Sequence, residues 1–289
     1  MKEAQDIGHV INALVTESHE QGTYAQKNGV TYRLLPQPKT LALGEVVQGF
    51  AYENRQGQRI LESKLPAARL HRYAFCEVVE VRRDLGVFVD IGLAEKEIAV
   101  SYDDLPSETS LWPKVGDRLL VKLTKDNKER LWASLASDDI FTQIGKTLPP
   151  HRRLFQNQEK KALVYRPKLV GSYVLTEDFY LGFIHHEEFS IEPRLGEEVT
   201  GRVIGVGEFG ALNLSLLPMA HEVLDDDARM ILEILKREPG QRLPFHDKSP
   251  AEEIRQFFGI SKAQFKRAIG RLYKAKKIVI QSDGIELVK

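Results

Sequence analysis

Apolar and polar residues alternate with a period of two through most of the first 218 residues, then recur about every three and a half from residue 219 onward. The first period sends alternate side chains to opposite faces of a strand; the second lays a stripe along a helix. Between residues 70 and 137, runs at 75–81, 86–92, 97–100, 118–123 and 131–135 predict five short strands. Runs at 162–165, 171–175, 180–185, 198–206 and 212–216 repeat the plan. A looser copy fills the first 64 residues, with runs at 10–16, 23–25 and 30–35, a strand after Gly44 and another through Ile60 and Leu61. Gln21-Gly22 and Asn28-Gly29 in that copy supply the positive φ that a tight hairpin turn needs.

One tripeptide, apolar–Gly–acid, opens the fourth strand of each copy: Leu43-Gly44-Glu45, Val115-Gly116-Asp117 and Leu195-Gly196-Glu197. The lead-ins also match, Pro113-Lys114 against Pro193-Arg194, with Pro38-Lys39 a looser version. The glycines stand 116 − 44 = 72 and 196 − 116 = 80 positions apart. That exceeds the roughly 20–50 residues of a solenoid repeat, so each copy is expected to be a small closed barrel. The expected domains are 1–66, 67–140 and 160–218, with 141–159 a linker through Pro149-Pro150 that has room for a short helix.

The rest, 219–289, is expected to be a winged helix. Ala228, Ile231, Leu232 and Leu235 make one helical stripe, ended by Pro239-Gly240. Ser249 is the expected N-cap of a second helix, with Pro250 in its first turn and Gly259 ending it. Ser261 caps a third, with Phe265, Ile269 and Leu272 inward; two short strands joined across Ser282-Asp283-Gly284 complete the unit.

Composition adds bounds. Lys and Arg total 41, as do Asp and Glu, so net charge gives no sign of a phosphate-rich partner. A nucleic-acid ligand would then require local segregation of charge and help from aromatic stacking. The single cysteine, Cys76, excludes an internal disulfide and reads as a buried strand residue in a reducing compartment. With neither a membrane-length apolar run nor a secretory signal, the expectation is a cytoplasmic protein without membrane contact.

A barrel with Leu85-Gly86-Val87-Phe88-Val89-Asp90-Ile91-Gly92 on its second strand and the tripeptide before its fourth resembles the S1-type RNA-binding domain, an OB-fold. Leu181-Gly182-Phe183-Ile184-His185-His186-Glu187-Glu188-Phe189 is similar to that family's third-strand segment. Three such units followed by a winged helix resemble the conserved virulence factor B family of bacterial RNA-binding regulators. The resemblance implies a mainly β chain with an α+β C-terminal domain: three tandem five-stranded S1-type OB-fold barrels, then a winged helix. It also implies an RNA face. The strand-two aromatic falls on Tyr24, Phe88 and Tyr173, and the strand-three histidine on His185, with Ser101 in its place in the second unit. The Asp and Arg of the last hairpin fall on Asp126 and Arg130, with Arg59 serving in the first unit and no arginine in the third.

Alternation supports part of this independently. Phe88 lies between Val87 and Val89, so if the valines fill the barrel the ring stands outside, where it would stack bases or pack on a neighbouring unit. Lys122 and Arg130 are available for phosphates. Tyr165, Tyr173, Tyr180 and Phe183 enrich the third unit in rings, and for Tyr165 and Tyr180 packing and binding stand equal. Adjacent His185 and His186, if both lie in a strand, are expected on opposite faces, where they cannot readily share an ion. No catalytic set or cofactor site stands out, so neither an enzyme nor a cofactor is expected. Between Ser261 and Lys277, Lys262, Lys266, Arg267, Arg271, Lys274, Lys276 and Lys277 appear with no acid. Such a helix serves phosphate attachment, major-groove reading or simple solvation. Single-stranded RNA is the expected partner, with the ribosome and duplex DNA as further candidates; the alternative is a DNA-binding transcription regulator.

Overall fold

The alternating runs close on themselves three times. The computed structural model describes residues 6–20, 22–35, 41–150, 155–218 and 226–288, so Gln21, Pro36 and the lead-in Pro38-Lys39 lie outside the described residues. The chain divides into two compact units, Met1–Leu216 and Leu217–Lys289.

The first barrel comprises β1 (Val10–His19), β2 (Gly22–Lys27), β3 (Val30–Leu34), β4 (Val46–Glu53) and β5 (Arg59–Glu62). The second comprises β6 (Ala74–Arg82), β7 (Gly86–Asp90), β8 (Ile98–Ser101), β9 (Arg118–Lys125) and β10 (Leu131–Leu135). A helix, α1 (Asp138–Ile144), precedes the third barrel. That barrel comprises β11 (Glu159–Lys168), β12 (Gly171–Thr176), β13 (Leu181–His185), β14 (Glu198–Val206) and β15 (Leu212–Ser215). All three share one strand order, first-second-third-fifth-fourth, with only the third and fifth strands parallel. Closure leaves no sheet edge to pair with a stranger.

The repeated tripeptide has a local cause. Its glycine adopts φ of +82° to +94° at Gly44 and Gly116 and +81° at Gly196, and its N–H donates to the strand-one carbonyl of Val15, Val78 or Val164. Its acid accepts from the N–H three residues back: Glu45 from Ala42 (3.0 Å), Asp117 from Lys114 (2.6 Å), Glu197 from Arg194 (3.0 Å). The turn thus satisfies its own backbone and pins strand four to strand one. Beside that point strand one slips register by one residue, between Val15 and Glu17, Val78 and Glu80, or Val164 and Arg166.

The barrels within the first unit are bolted together. Phe50, Tyr52 and Ile60 of the first barrel share one buried core with Val78, Val89, Ile91 and Leu105 of the second. Arg33 bonds both Glu95 oxygens at 2.5 Å, and Arg55 pairs with Glu97. Between the second and third barrels the two tripeptide turns meet: Arg118 N–H donates to the Gly196 carbonyl at 3.0 Å, and Arg194 pairs with Asp117. The segment after β10 is docked rather than bare. Phe141 of α1 is buried on the third barrel, and Leu148 N–H donates to the Gly210 carbonyl at 2.8 Å.

In the second unit, α2 (Asp226–Arg237), α3 (Ala251–Phe258) and α4 (Lys262–Lys274) pack on a three-stranded sheet, with β16 (Arg242–Leu243) beside β18 (Gly284–Leu287) and β18 beside β17 (Ile278–Gln281). Ala228, Ile231, Leu235, Phe265, Ile269 and Leu272 form its core, as their spacing predicts. Ser261 and Gln264 make a full capping box on α4. Ser249 departs from expectation: α3 begins after Pro250 with no side-chain cap, and the Ser249 hydroxyl instead accepts from His246 N–H at 2.9 Å. No described helix is long and apolar enough to cross a membrane.

Candidate nucleic-acid interface

Each barrel sends one strand-two ring outward. Val87 and Val89 are wholly buried while Phe88 between them is half-exposed. Ser172 and Val174 are wholly buried, and Tyr173 keeps 36% of its surface. Tyr24 stands half-exposed next to buried Ala25. Across on strand three, Tyr24 faces Arg33, Phe88 faces Ala99 and Tyr173 faces Phe183. The three rings therefore hold one structural position.

Two glycines on the second strands let strand three approach. At Gly86 (φ +124°) an added Cβ would meet the Val100 carbonyl oxygen at 2.0 Å, and at Gly171 (φ +141°) that of Ile184 at 2.2 Å. Gly86 faces Ser101 and Gly171 faces His185. Both partners do the same local work. The Ser101 hydroxyl accepts from Asp103 N–H at 3.3 Å, and His185 Nδ1 accepts from Glu187 N–H at 3.4 Å, each opening a 3₁₀ turn. The His185 ring is left exposed, turned away from the barrel interior.

In the third barrel the rings form a chain. Phe141 stacks on Tyr165 at 3.9 Å and 11°; Tyr165 meets Tyr173 at 6.3 Å, Tyr173 meets Phe183 at 5.1 Å, and Phe183 meets His185 at 6.3 Å. Its inner end is packing: burial, then the charge of Asp138, pushes the Tyr165 hydroxyl up to about 12. Tyr180 is likewise packed, edge-on to Phe155 at 5.4 Å. The outer end, Tyr173, Phe183 and His185, is open to a ligand.

A basic side chain lies beside each ring. Arg82 Cζ lies 5.2 Å from the Phe88 centroid, Lys168 Nζ 5.1 Å from that of Tyr173, and the His19 ring 5.6 Å from that of Tyr24. Sequence reading did not single these three out. A basic residue three or four positions ahead of the strand-two glycine is the signal that could have found them.

The last hairpin differs between barrels. Asp126 accepts from the N–H groups of Lys128 (2.8 Å) and Arg130 (2.9 Å), from Arg130 Nε (2.7 Å) and from Trp132 Nε1 (3.3 Å). Desolvation opposes its ionisation, but these donors together hold the carboxyl well below the usual carboxylate range. Arg130 stays largely exposed, its guanidinium 5.9 Å from the Trp132 centroid. Asn54 fills the place of Asp126 in the first barrel, since Asn54 N–H donates to Gln58 O as Asp126 N–H does to Arg130 O. Gln58, rather than Arg59, therefore stands where Arg130 does; Arg59 faces Glu53 instead, because the register runs one residue on. Asn54 Nδ2 and Arg33 both bond Glu95 of the second barrel, so this face of the first barrel is partly claimed. In the third barrel Gly207 and Ala211 take the two places, without charge. Lys122 stands over the Tyr73 ring at 5.3 Å.

On α4, Lys266 and Arg267 are exposed, Arg271 is half-buried, and Lys262 Nζ donates to the Lys248 carbonyl at 3.4 Å. Among the described residues no group of three His, Cys, Asp or Glu could hold a metal ion.

Family models match along most of the chain: an S1 domain at residues 7–61, the CvfB first S1-like domain at 73–134, the second domain of virulence regulatory factor CvfB at 146–218, and the CvfB-like winged helix domain at 229–287. A conserved virulence factor B of Staphylococcus haemolyticus (strain JCSC1435) is 40% identical over 291 residues, 99% of this chain and 96% of that protein. One of Staphylococcus aureus (strain N315) is 41% identical over 249 residues, 86% of this chain and 81% of that protein. A crystal structure of a multidomain protein with nucleic acid binding domains from Streptococcus pneumoniae TIGR4 is similar at 41% identity and a TM-score of 0.69, covering 98% of this chain and 99% of that one.

Proposed function

We propose that this chain, which belongs to the conserved virulence factor B family, is a non-catalytic cytoplasmic regulator that grips single-stranded RNA. The observation that carries the reading is the strand-two ring at one position in all three barrels, partly exposed in each, with both neighbours buried in the second and third and Ala25 buried in the first. Exposed rings on such a sheet stack unpaired bases with little regard to sequence, at about 1–3 kcal/mol each. Tyr24, Phe88, Tyr173, Phe183 and His185 would carry stacking. Lys122 and Arg130 would meet phosphates, Asp126 would hold Arg130 in place, and Arg59 would add charge at the first barrel. Lys262, Lys266, Arg267 and Arg271 of the winged helix would add backbone contacts to RNA or the ribosome. Weak sites joined in one chain gain from effective concentration. That predicts affinity rising with oligonucleotide length in an anisotropy titration; equal affinity for a 6-mer and a 24-mer would refute the tandem grip.

Exposed Lys266 and Arg267 on a capped helix favour a second reading, a transcription regulator reading duplex DNA. Competition between poly(U) and duplex DNA separates the two: displacement by duplex alone would favour DNA.

A further inference from the structure

We infer that Arg82 and Lys168 are phosphate contacts, parked over Phe88 and Tyr173 in the free protein and released to the RNA backbone when a base takes their place on the ring. The inference rests on the RNA-binding reading above. Register explains how the parking arises. Arg82 faces Gly86 and Lys168 faces Gly171, as His19 faces Gly22 in the first barrel. Glycine offers no side chain to pack against, so the long cationic stem folds sideways onto the ring two residues further along strand two. The strand-one slip described above precedes each of these positions and sets that alignment.

The recurrence argues against accident. Three sequences that differ in the basic residue, His19 with Tyr24, Arg82 with Phe88 and Lys168 with Tyr173, arrive at one arrangement at separations of 5.1–5.6 Å. Each basic side chain also has a carboxylate at hand: Glu80 at 2.8 Å from Arg82, Asp138 at 3.6 Å from Lys168, Glu17 at 3.8 Å from His19. Both longer side chains remain about half exposed, at 51% and 46%. An exposed cation–π contact is weaker than base stacking, so a base displaces the cation from the ring. The displaced charge is then tethered within reach of the phosphate next to that base, where exchanging an exposed carboxylate for a phosphate costs little.

The test measures affinity of the full chain for labelled oligo(U) between 50 and 300 mM salt. Removing one phosphate contact to a single strand flattens the slope of log K against log[salt] by about 0.7. Arg82→Gln with Lys168→Gln is expected to flatten it by about 1.4 and to weaken binding by about tenfold near 0.15 M salt. Arg83→Gln removes the same charge one residue on, past the end of the strand, and is expected to leave the slope alone. Unchanged slope in the double variant, tighter binding by it, or equal flattening by Arg83→Gln would each overturn the inference. If Phe88→Ala weakens binding while the double variant does not, the inference fails alone. No binding by the wild-type chain removes the RNA reading with it. Unchanged melting midpoints establish that the variants are folded.

Discussion

Arg194 donates Nε to Asp117 Oδ2 and Nη2 to Asp117 Oδ1, both at 2.7 Å, across the joint between the second and third barrels. Asp117 is nearly sealed from water, and Arg194 also pairs with Glu197 of its own turn. Breaking a buried pair leaves a charge without compensation. Because Arg194 is 21% exposed, Arg194→Ala is expected to cost about 2–3 kcal/mol in a denaturant titration, less than a fully buried pair would. A double-mutant cycle with Asp117→Ala tests it: additive losses would mean the contact is ornamental.

Gly171→Ala is expected to damage the proposed binding face as well as the fold. Its Cβ would meet the Ile184 carbonyl oxygen at 2.2 Å and the His185 Cα at 2.9 Å, at a φ of +141°. Backbone must move, at about 1–3 kcal/mol, and His185 moves with it. Lowered melting temperature together with shifted His185 ring signals in NMR is the expected result.

Phe88→Ala and Tyr173→Ala should each weaken binding to unstructured RNA by about 1–3 kcal/mol while leaving stability nearly unchanged, since neither ring fills a core. Full affinity in the double variant would return both rings to packing.

Acid should loosen the joint between the first two barrels. Hydrogen bonds from Asn54 and then Arg33 lower the Glu95 carboxyl from its ordinary value, against partial desolvation. A depressed folded value means the stabilisation is complete above the unfolded value of about 4.3 and is lost as pH falls through the folded one. Glu95→Gln should therefore lower stability at pH 7 and remove part of its decline below about pH 4.3 in thermal melts across pH.

Lys266→Glu with Arg267→Glu reverses two exposed charges on α4 without touching its core. Loss of RNA affinity at low salt would place the winged helix on the nucleic acid. Unchanged RNA affinity with lost duplex binding would move the function toward DNA.

Much of this was legible in the residues. Period-two alternation and the tripeptide announce three barrels because buried valines such as Val87 and Val89 must flank an outward ring, and because only a glycine turn can pin strand four so tightly. Capping chemistry announces α4. Other features depend on contacts made across strands or between barrels. The two residues of β16 carry no periodicity, and Ser249 precedes a proline whose backbone geometry moved the cap. Arg59 missed its place by one position because hairpin register is set by the Asn54 turn, whose Asx bonds to Gln56 and Gln58 are invisible to alternation. The placing of Arg82 and Lys168 over their rings depends on a one-residue slip in strand one, which alternation alone does not show. Phe141, in a stretch read as linker, found a partner far off in sequence.

Phe50, Tyr52 and Ile60 belong to the same buried cluster as Val89 and Ile91 of the next barrel, so the first two barrels are not beads on a string. A chain trimmed to start at the second would bare an oily wall that its neighbour normally seals, and would clump instead of acting as a spare part. Beyond the ring it presents at Tyr24, the first barrel is masonry for the one beside it.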